Sequence, residues 1–298
     1  MNAPVAVRPA GDFDGAIYEP LLRSRLGEED GVLQARFQRD GYLFFPGALG
    51  ESLTEPVLEG MLQVLQPLIV WDEELGAPVL NGEPFFESDP LWDQFYPRIQ
   101  ALEPLHRLFH SDGVERMMKA VVGDEVFVYP MKMARIATPR KRGYETPPHQ
   151  DAHSHHTGPS MAGIWVGLHD AGESSGRLTL LPGSHRRGVR PVHGALGVGG
   201  VQCEIYADET TWHVSDVGRG DVILFHSQTV HRAQPNSDDR RVRLSVDTRF
   251  CRYGAPVFST NLAPHHGWRI DGLDWDFVYR NWQGSALKYY WREYPALF

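Results

Sequence analysis

Cysteine is nearly absent from this chain: of 298 residues only Cys203 and Cys251 carry thiols. So few cysteines exclude a disulfide framework and a thiolate zinc site, and a reducing cytoplasm is the compartment such a chain suits. Positive charge is also scarce, with 29 Lys and Arg against 38 Asp and Glu and a formal charge of -9. That balance argues against a nucleic-acid partner, because phosphate binding needs a clustered basic excess. The local basic stretch from Arg135 to Arg142 reads as a solvated loop. No stretch reaches the roughly 18 apolar residues of a membrane span. Met1 to Asp14 has no basic start followed by an apolar run, so neither a membrane nor a secretory leader is expected.

What is present is a core. The chain is 42% hydrophobic, with 8 Trp, 11 Tyr and 14 Phe, and its 30 Gly and 22 Pro imply many turns between short elements. This profile leans towards β structure. Residues 28–45 read as helix, a tight turn at Gly41 and the strand Tyr42-Leu43-Phe44-Phe45. Amphipathic spacing predicts helices over Glu51–Gln66 and Leu102–Val122, with residues 71–98 as an irregular packed connection between them. After Gly123 the character changes. Strands are expected at 126–129, 131–136, 161–168, 177–181, 221–226 and 241–250, a spacing that indicates a sandwich or barrel. The reading is one domain over 1–298: a mainly helical part to 122, a β core over 123–252, and a packed, Trp-rich C-terminal extension over 253–298.

His149-Gln150-Asp151 follows Pro147-Pro148 at the start of a His-rich loop. In an extended segment residues i and i+2 point to the same side, so this imidazole and carboxylate can converge on one metal ion. A third ligand is sought in Gly220–His231, where an apolar strand is followed by a second His-bearing segment. Both His226 and His231 qualify, and a turn at Ser227-Gln228 would reset the parity between them. Two His and one carboxylate on one face of an octahedral metal leave open positions for a co-substrate and O2, the arrangement of non-haem Fe(II) oxygenases. Arg241, Arg243 and Ser245 share a face of the next strand, and a guanidinium is suited to anchoring a carboxylate. His153, His155 and His156 read as a polar loop rim, with His155 turned to the pocket.

The combination resembles the phytanoyl-CoA dioxygenase-like family of Fe(II)/2-oxoglutarate oxygenases, over most of the chain. Four stretches carry the resemblance in order: Phe37 to Leu49, Pro148-His149-Gln150-Asp151, the Gly176 to His185 hairpin, and Gly220 to Arg241 with His231 and Pro235-Asn236. The resemblance implies a double-stranded β-helix, a jelly-roll with flanking helices. It implies His149, Asp151 and His231 as iron ligands, and Arg241 as the partner of the far 2-oxoglutarate carboxylate, with Arg243 as the alternative. Ser245 and Lys132 join the implied co-substrate site. It implies hydroxylation of a small molecule with 2-oxoglutarate and O2 as co-substrates, and the aromatic content favours a compact, partly apolar substrate such as a secondary metabolite or a modified amino acid. Because Asp151 is present, the chain does not look like the related halogenases. A jelly-roll isomerase or hydrolase that does not use 2-oxoglutarate is the rival reading.

Overall fold

In the computed structural model, which describes residues 15–139 and 143–294, the sheets draw strands from well outside the expected β core. The first is β1 (Ile17–Glu19), followed by α1 (Asp30–Asp40), Gly41 and β2 (Tyr42–Phe45), the expected helix-turn-strand unit. Gly41 adopts φ 79° and its N–H bonds to the Phe37 carbonyl, the left-handed stop that glycine adopts without side-chain strain. Helix α2 (Glu51–Leu65) buries Val57, Leu58, Met61 and Leu65 along one face.

Residues 71–98 are not the irregular connection expected. They hold most of the hairpin β3 (Ile69–Asp72) and β4 (Ala77–Leu80), then enter α3 (Pro90–Gln100). The Asp89 carboxylate caps that helix by accepting from the Leu91 N–H, with proline in the first turn, a start signal present in the sequence. The single helix expected over 102–122 is two, α4 (Glu103–Leu108) and α5 (Asp112–Val122). The break occurs where the Ser111 hydroxyl donates back to the Leu108 carbonyl, and it turns Phe109 wholly into the core.

The β core continues with β5 (Val126–Ala137), the short helix α6 (Asp151–Ser154), β6 (Met161–Gly167), β7 (Leu178–Leu180), β8 (Val192–Gly194) and β9 (Val201–Cys203). It ends with β10 (Thr211–His213), β11 (Val222–His226), β12 (His231–Ala233) and β13 (Arg243–Arg252), followed by α7 (Trp275–Tyr279). The larger sheet is antiparallel in the order β2-β11-β6-β13-β5, and the smaller runs β1-β10-β7-β12. The architecture is a jelly-roll, and its N-terminal part is not separate from it, since β2 pairs with β11 and β1 with β10.

The two strands expected either side of Pro130 are one. β5 lies at a sheet edge, where a residue without an N–H is tolerated. Its pairing with β13 shifts so that residues 129–131 lie opposite Arg249 alone, between the pairs Thr248↔Lys132 and Phe250↔Val128. On β13 the alternate residues Leu244, Val246 and Phe250 enter the main apolar core with the helices. Arg243, Ser245, Asp247 and Arg249 face the other way, into the roll. In the C-terminal extension Leu273, Trp275, Val278, Tyr279 and Trp282 form their own cluster. Trp268 does not pack as expected and is 59% exposed, at the rim of a cavity. Among the described residues no helix is long and apolar enough to cross a membrane. The readings made for Met1 to Asp14 and for Arg140 to Arg142 lie outside the described residues. Arg135 is no solvated loop residue, being ion-paired to Glu87 and Asp247.

Candidate active site

His149 and His231 are brought together by the backbone. The His149 N–H donates to the His231 carbonyl at 3.0 Å and the His231 N–H returns a bond to the His149 carbonyl at 3.1 Å, leaving the ring centroids 4.1 Å apart. Asp151 opens α6 two residues later. Its Oδ1 lies 3.7 Å from His149 Nε2 and 3.8 Å from His231 Nε2. The far side of each ring decides what these nitrogens can do. His149 Nδ1 faces the Pro147 carbonyl at 2.9 Å and His231 Nδ1 the Thr229 carbonyl at 3.0 Å. A carbonyl only accepts, so each Nδ1 carries the proton and each Nε2 keeps a bare lone pair.

Burial pushes the His149 imidazole down to about 3 and lowers His231 as well, which keeps both neutral near pH 7. Burial would raise the Asp151 carboxyl, but the Arg249 guanidinium and the neighbouring imidazoles overcome it and hold the group well below the usual range. Three electron-pair donors therefore converge with no proton between them. A divalent first-row cation satisfies such a set, and two imidazoles with one carboxylate suit iron. His226 is not part of it. The chain turns after β11, and the His226 ring packs 5.1 Å from that of His185 and 6.0 Å from Phe37.

Two cavities meet at this cluster. The inner one, of about 100 Å3, is lined by His149, His231, Trp165, Phe225 and Arg243. The outer one, of about 690 Å3, is lined by His149, Asp151, His155, Met131, Met133 and Trp268 among others. Arg243 is buried, and its partners are neutral: Nε donates to the Gly176 carbonyl at 3.1 Å and Nη1 to the Ser245 hydroxyl at 2.5 Å. Burial, then the nearby Arg135, lowers its pKa to about 10, so it stays charged near pH 7. Arg241 is not brought here. It precedes β13, its N–H is held by Asp238 at 2.8 Å, and its side chain is 43% exposed. Lys132 is not brought here either. Its neighbours Met131 and Met133 face the outer cavity, so alternation turns Lys132 away, where Nζ reaches the Tyr129 carbonyl and the Phe109 ring.

Sequence reasoning missed a chain of buried charges behind the cluster. Arg249 contacts Asp151 and donates to Asp247 at 2.7 Å; Arg135 Nε donates to Asp247 at 2.8 Å and its Nη1 to Glu87 at 3.0 Å. Strand alternation after Arg243 was the signal that could have found Asp247 and Arg249. At the far end Glu87 meets His265 and His266. Arg269 Nε donates to His266 Nδ1 at 3.3 Å, so His266 Nε2 carries the proton it gives Glu87 at 3.0 Å. The Tyr96 hydroxyl accepts from the Ala134 N–H and lies within hydrogen-bond distance of His265 Nδ1. The proton on His266 Nε2 leaves no lone pair there for a metal, so this trio differs from the first.

Of the three loop histidines, His155 is buried, its Nδ1 donating to Asn261 Oδ1 at 2.7 Å while the Asn261 amide donates to the His155 carbonyl. That pairing leaves the lone pair on Nε2, and burial lowers the imidazole to about 4.

The sequence model of the family described as Phytanoyl-CoA dioxygenase (PhyH) matches residues 37–243. The 1-deoxypentalenic acid 11-beta-hydroxylase of Streptomyces exfoliatus is 25% identical over 244 residues, covering 77% of this chain and 82% of that protein. Phytanoyl-CoA dioxygenase domain-containing protein 1 of Bos taurus is 32% identical over 151 residues, 48% of this chain; the match spans about half of the bovine protein, 51%. Among solved structures, the epimerase SnoN in complex with Fe3+, alpha ketoglutarate and nogalamycin RO superposes with a TM-score of 0.52. It has 21% identity and covers 76% of this chain and 85% of that one.

Proposed function

The chain belongs to the phytanoyl-CoA dioxygenase (PhyH) family, and from that premise we propose that it hydroxylates an unactivated C–H bond of a small molecule with Fe(II), 2-oxoglutarate and O2. His149, Asp151 and His231 are the residues that would hold the iron, and Arg243, oriented by Ser245, is the partner of the far carboxylate of 2-oxoglutarate. The observation that carries this reading is a buried, charged Arg243 whose hydrogen-bond partners are neutral, in a small chamber lined by His149 and His231, the two imidazoles that gather with Asp151. A buried cation without a counterion is costly, and a chelating dicarboxylate supplies that counterion.

When bound, iron with 2-oxoglutarate splits O2 between succinate, formed with CO2, and the hydroxylated substrate. The protein's own part is to bind and to exclude water. His149 and His231 present lone pairs because two carbonyls hold their protons on Nδ1. Arg243 directs a dicarboxylate inward, and Trp165, Phe225 and Leu178 line the inner chamber beside it. The substrate enters the outer cavity, whose volume of about 690 Å3 suits a compact metabolite. Met131, Met133, Leu196 and Trp268 offer apolar contact there and His155 Nε2 a hydrogen-bond acceptor. The hydroxylase from Streptomyces exfoliatus, aligned over most of both chains, supports a secondary metabolite as the substrate class.

Anaerobic protein mixed with Fe(II) and 2-oxoglutarate is expected to show the weak visible charge-transfer band of the chelate. The band should vanish in His231→Ala and weaken in Arg243→Gln. Screening of metabolites by succinate release follows from a positive result. Folded, iron-loaded wild type that shows no band contradicts the oxygenase reading.

A further inference from the structure

One guanidinium lies against both oxygens of the Asp151 carboxylate, by a hydrogen bond at Oδ1 and an ion-pair contact at Oδ2. Arg249 Nη2 donates to Oδ1 at 2.9 Å, and Nε lies 2.6 Å from Oδ2. Oδ1 is the oxygen that faces His149 and His231, and Oδ2 is covered by the arginine. We propose that Arg249 is a positioning residue for the metal centre, one that keeps Asp151 a single-oxygen ligand and so preserves an open coordination position. This rests on the metal role proposed for His149, Asp151 and His231.

Arg249 is itself immobilised. Its Nη1 donates to Asp247 Oδ2 at 2.7 Å and to the Thr248 carbonyl at 3.0 Å, and its Cζ lies 5.5 Å over the Phe225 ring. Asp247 is fixed in turn by Arg135, and Arg135 by Glu87. Replacing buried ion pairs with apolar groups often stabilises a protein, so stability alone is a poor reason for this chain of charges. It ends on the one carboxylate that faces the two bare imidazole nitrogens. The need there is geometric. A two-His, one-carboxylate face leaves three octahedral positions open, and a chelating oxo acid with O2 uses all three. A carboxylate free to turn would offer its second oxygen to the metal and close one of them. The guanidinium hinders this by lying against the buried Oδ2 as an ion pair.

The test uses Mn(II) in place of iron and reads the longitudinal relaxation of water protons at saturating metal, which reports the exchangeable waters on the ion. Arg249→Met, which removes every donor at similar volume, is expected to lose about one third of the wild-type enhancement as three waters become two. Arg249→Lys, whose ammonium can still reach Oδ2, is expected to restore it. A structural role alone would lower Mn(II) affinity or thermal stability and leave the saturated enhancement unchanged. Wild-type enhancement in a folded, saturated Arg249→Met protein therefore overturns the proposal. Should that variant not fold, Asp247→Asn, which loosens Arg249 without removing it, is expected to lose enhancement in the same direction, and an unchanged value there overturns it equally. Failure of the metal reading looks different: His231→Ala would then bind Mn(II) as wild type does.

Discussion

A buried charge reveals its purpose by what it lacks. Around the inner chamber Arg135 and Arg249 share Asp247 and are each tied to a second carboxylate, whereas Arg243 holds a carbonyl and a hydroxyl. Charge-assisted hydrogen bonds to a desolvated carboxylate contribute about 1.5–3 kcal/mol each. Arg243→Gln is therefore expected to raise the 2-oxoglutarate concentration at half-saturation of the charge-transfer band by about 10–100-fold. Arg241→Gln, at an exposed side chain, should leave it within about twofold. Equal effects of the two would contradict the assignment. Both arginines were visible in the sequence on one face of an extended segment. What was not visible is that β13 begins only at Arg243, because the Asp238 carboxylate holds the backbone N–H of both Arg240 and Arg241 in the preceding turn. Of the cluster His149, Asp151 and His231, the first two are legible together because they are near neighbours in sequence. Spacing alone leaves His226 and His231 open; the resemblance favours His231, and the turn at residues 227–230 is what carries His226 away from the cluster.

At the scale of elements, the site depends on a place where a side chain is missing. Gly163 on β6 lies between Phe225 on β11 and Arg249 on β13. A Cβ there would meet the Phe225 ring at 2.4 Å, and the Phe225 ring already lies 4.5 Å from that of His231. Gly163→Ala must displace Phe225, the ring that packs on His231. The expected result is a loss of about 1–3 kcal/mol in a denaturant titration and a smaller thermal shift on adding Fe(II). A full metal-induced shift with an unchanged denaturation midpoint would mean that the ring has room to move elsewhere. Gly163 had no signal in the sequence, since its importance depends on the two strands that flank it. Local signals served better within elements than between them. Gly41 stopped α1 where expected, but the Asp89-Pro90 start of α3 was overlooked and the break at Ser111 was read through. Pro130 reads as a strand boundary in the sequence, because its place at a sheet edge is a property of topology.

For the whole molecule, the consequence of burying so many imidazoles is an acid limit. Burial lowers His106 to about 3, and His155, His169 and His226 each to about 4. In the unfolded chain an imidazole takes up its proton near 6.5. Between that pH and the folded values the unfolded state binds more protons than the folded one, so stability is intact above about 6.5 and is lost as pH falls towards 4. Each such group contributes a slope of up to about 1.4 kcal/mol per pH unit. Four acting together can exhaust a typical domain stability of roughly 5–15 kcal/mol near pH 5. The buried carboxylates act lower. Arg135 and His266 outweigh burial to hold Glu87 at about 2, so its contribution is present above the ordinary Glu value and is lost only below about 4.3. Urea midpoints of chelator-treated protein are expected to be level from pH 8 to 7, to fall steeply between 6.5 and 5, and to fall first through the histidines. A midpoint level down to pH 5 would show that these imidazoles take up protons in the folded state, and that the roll admits water to them.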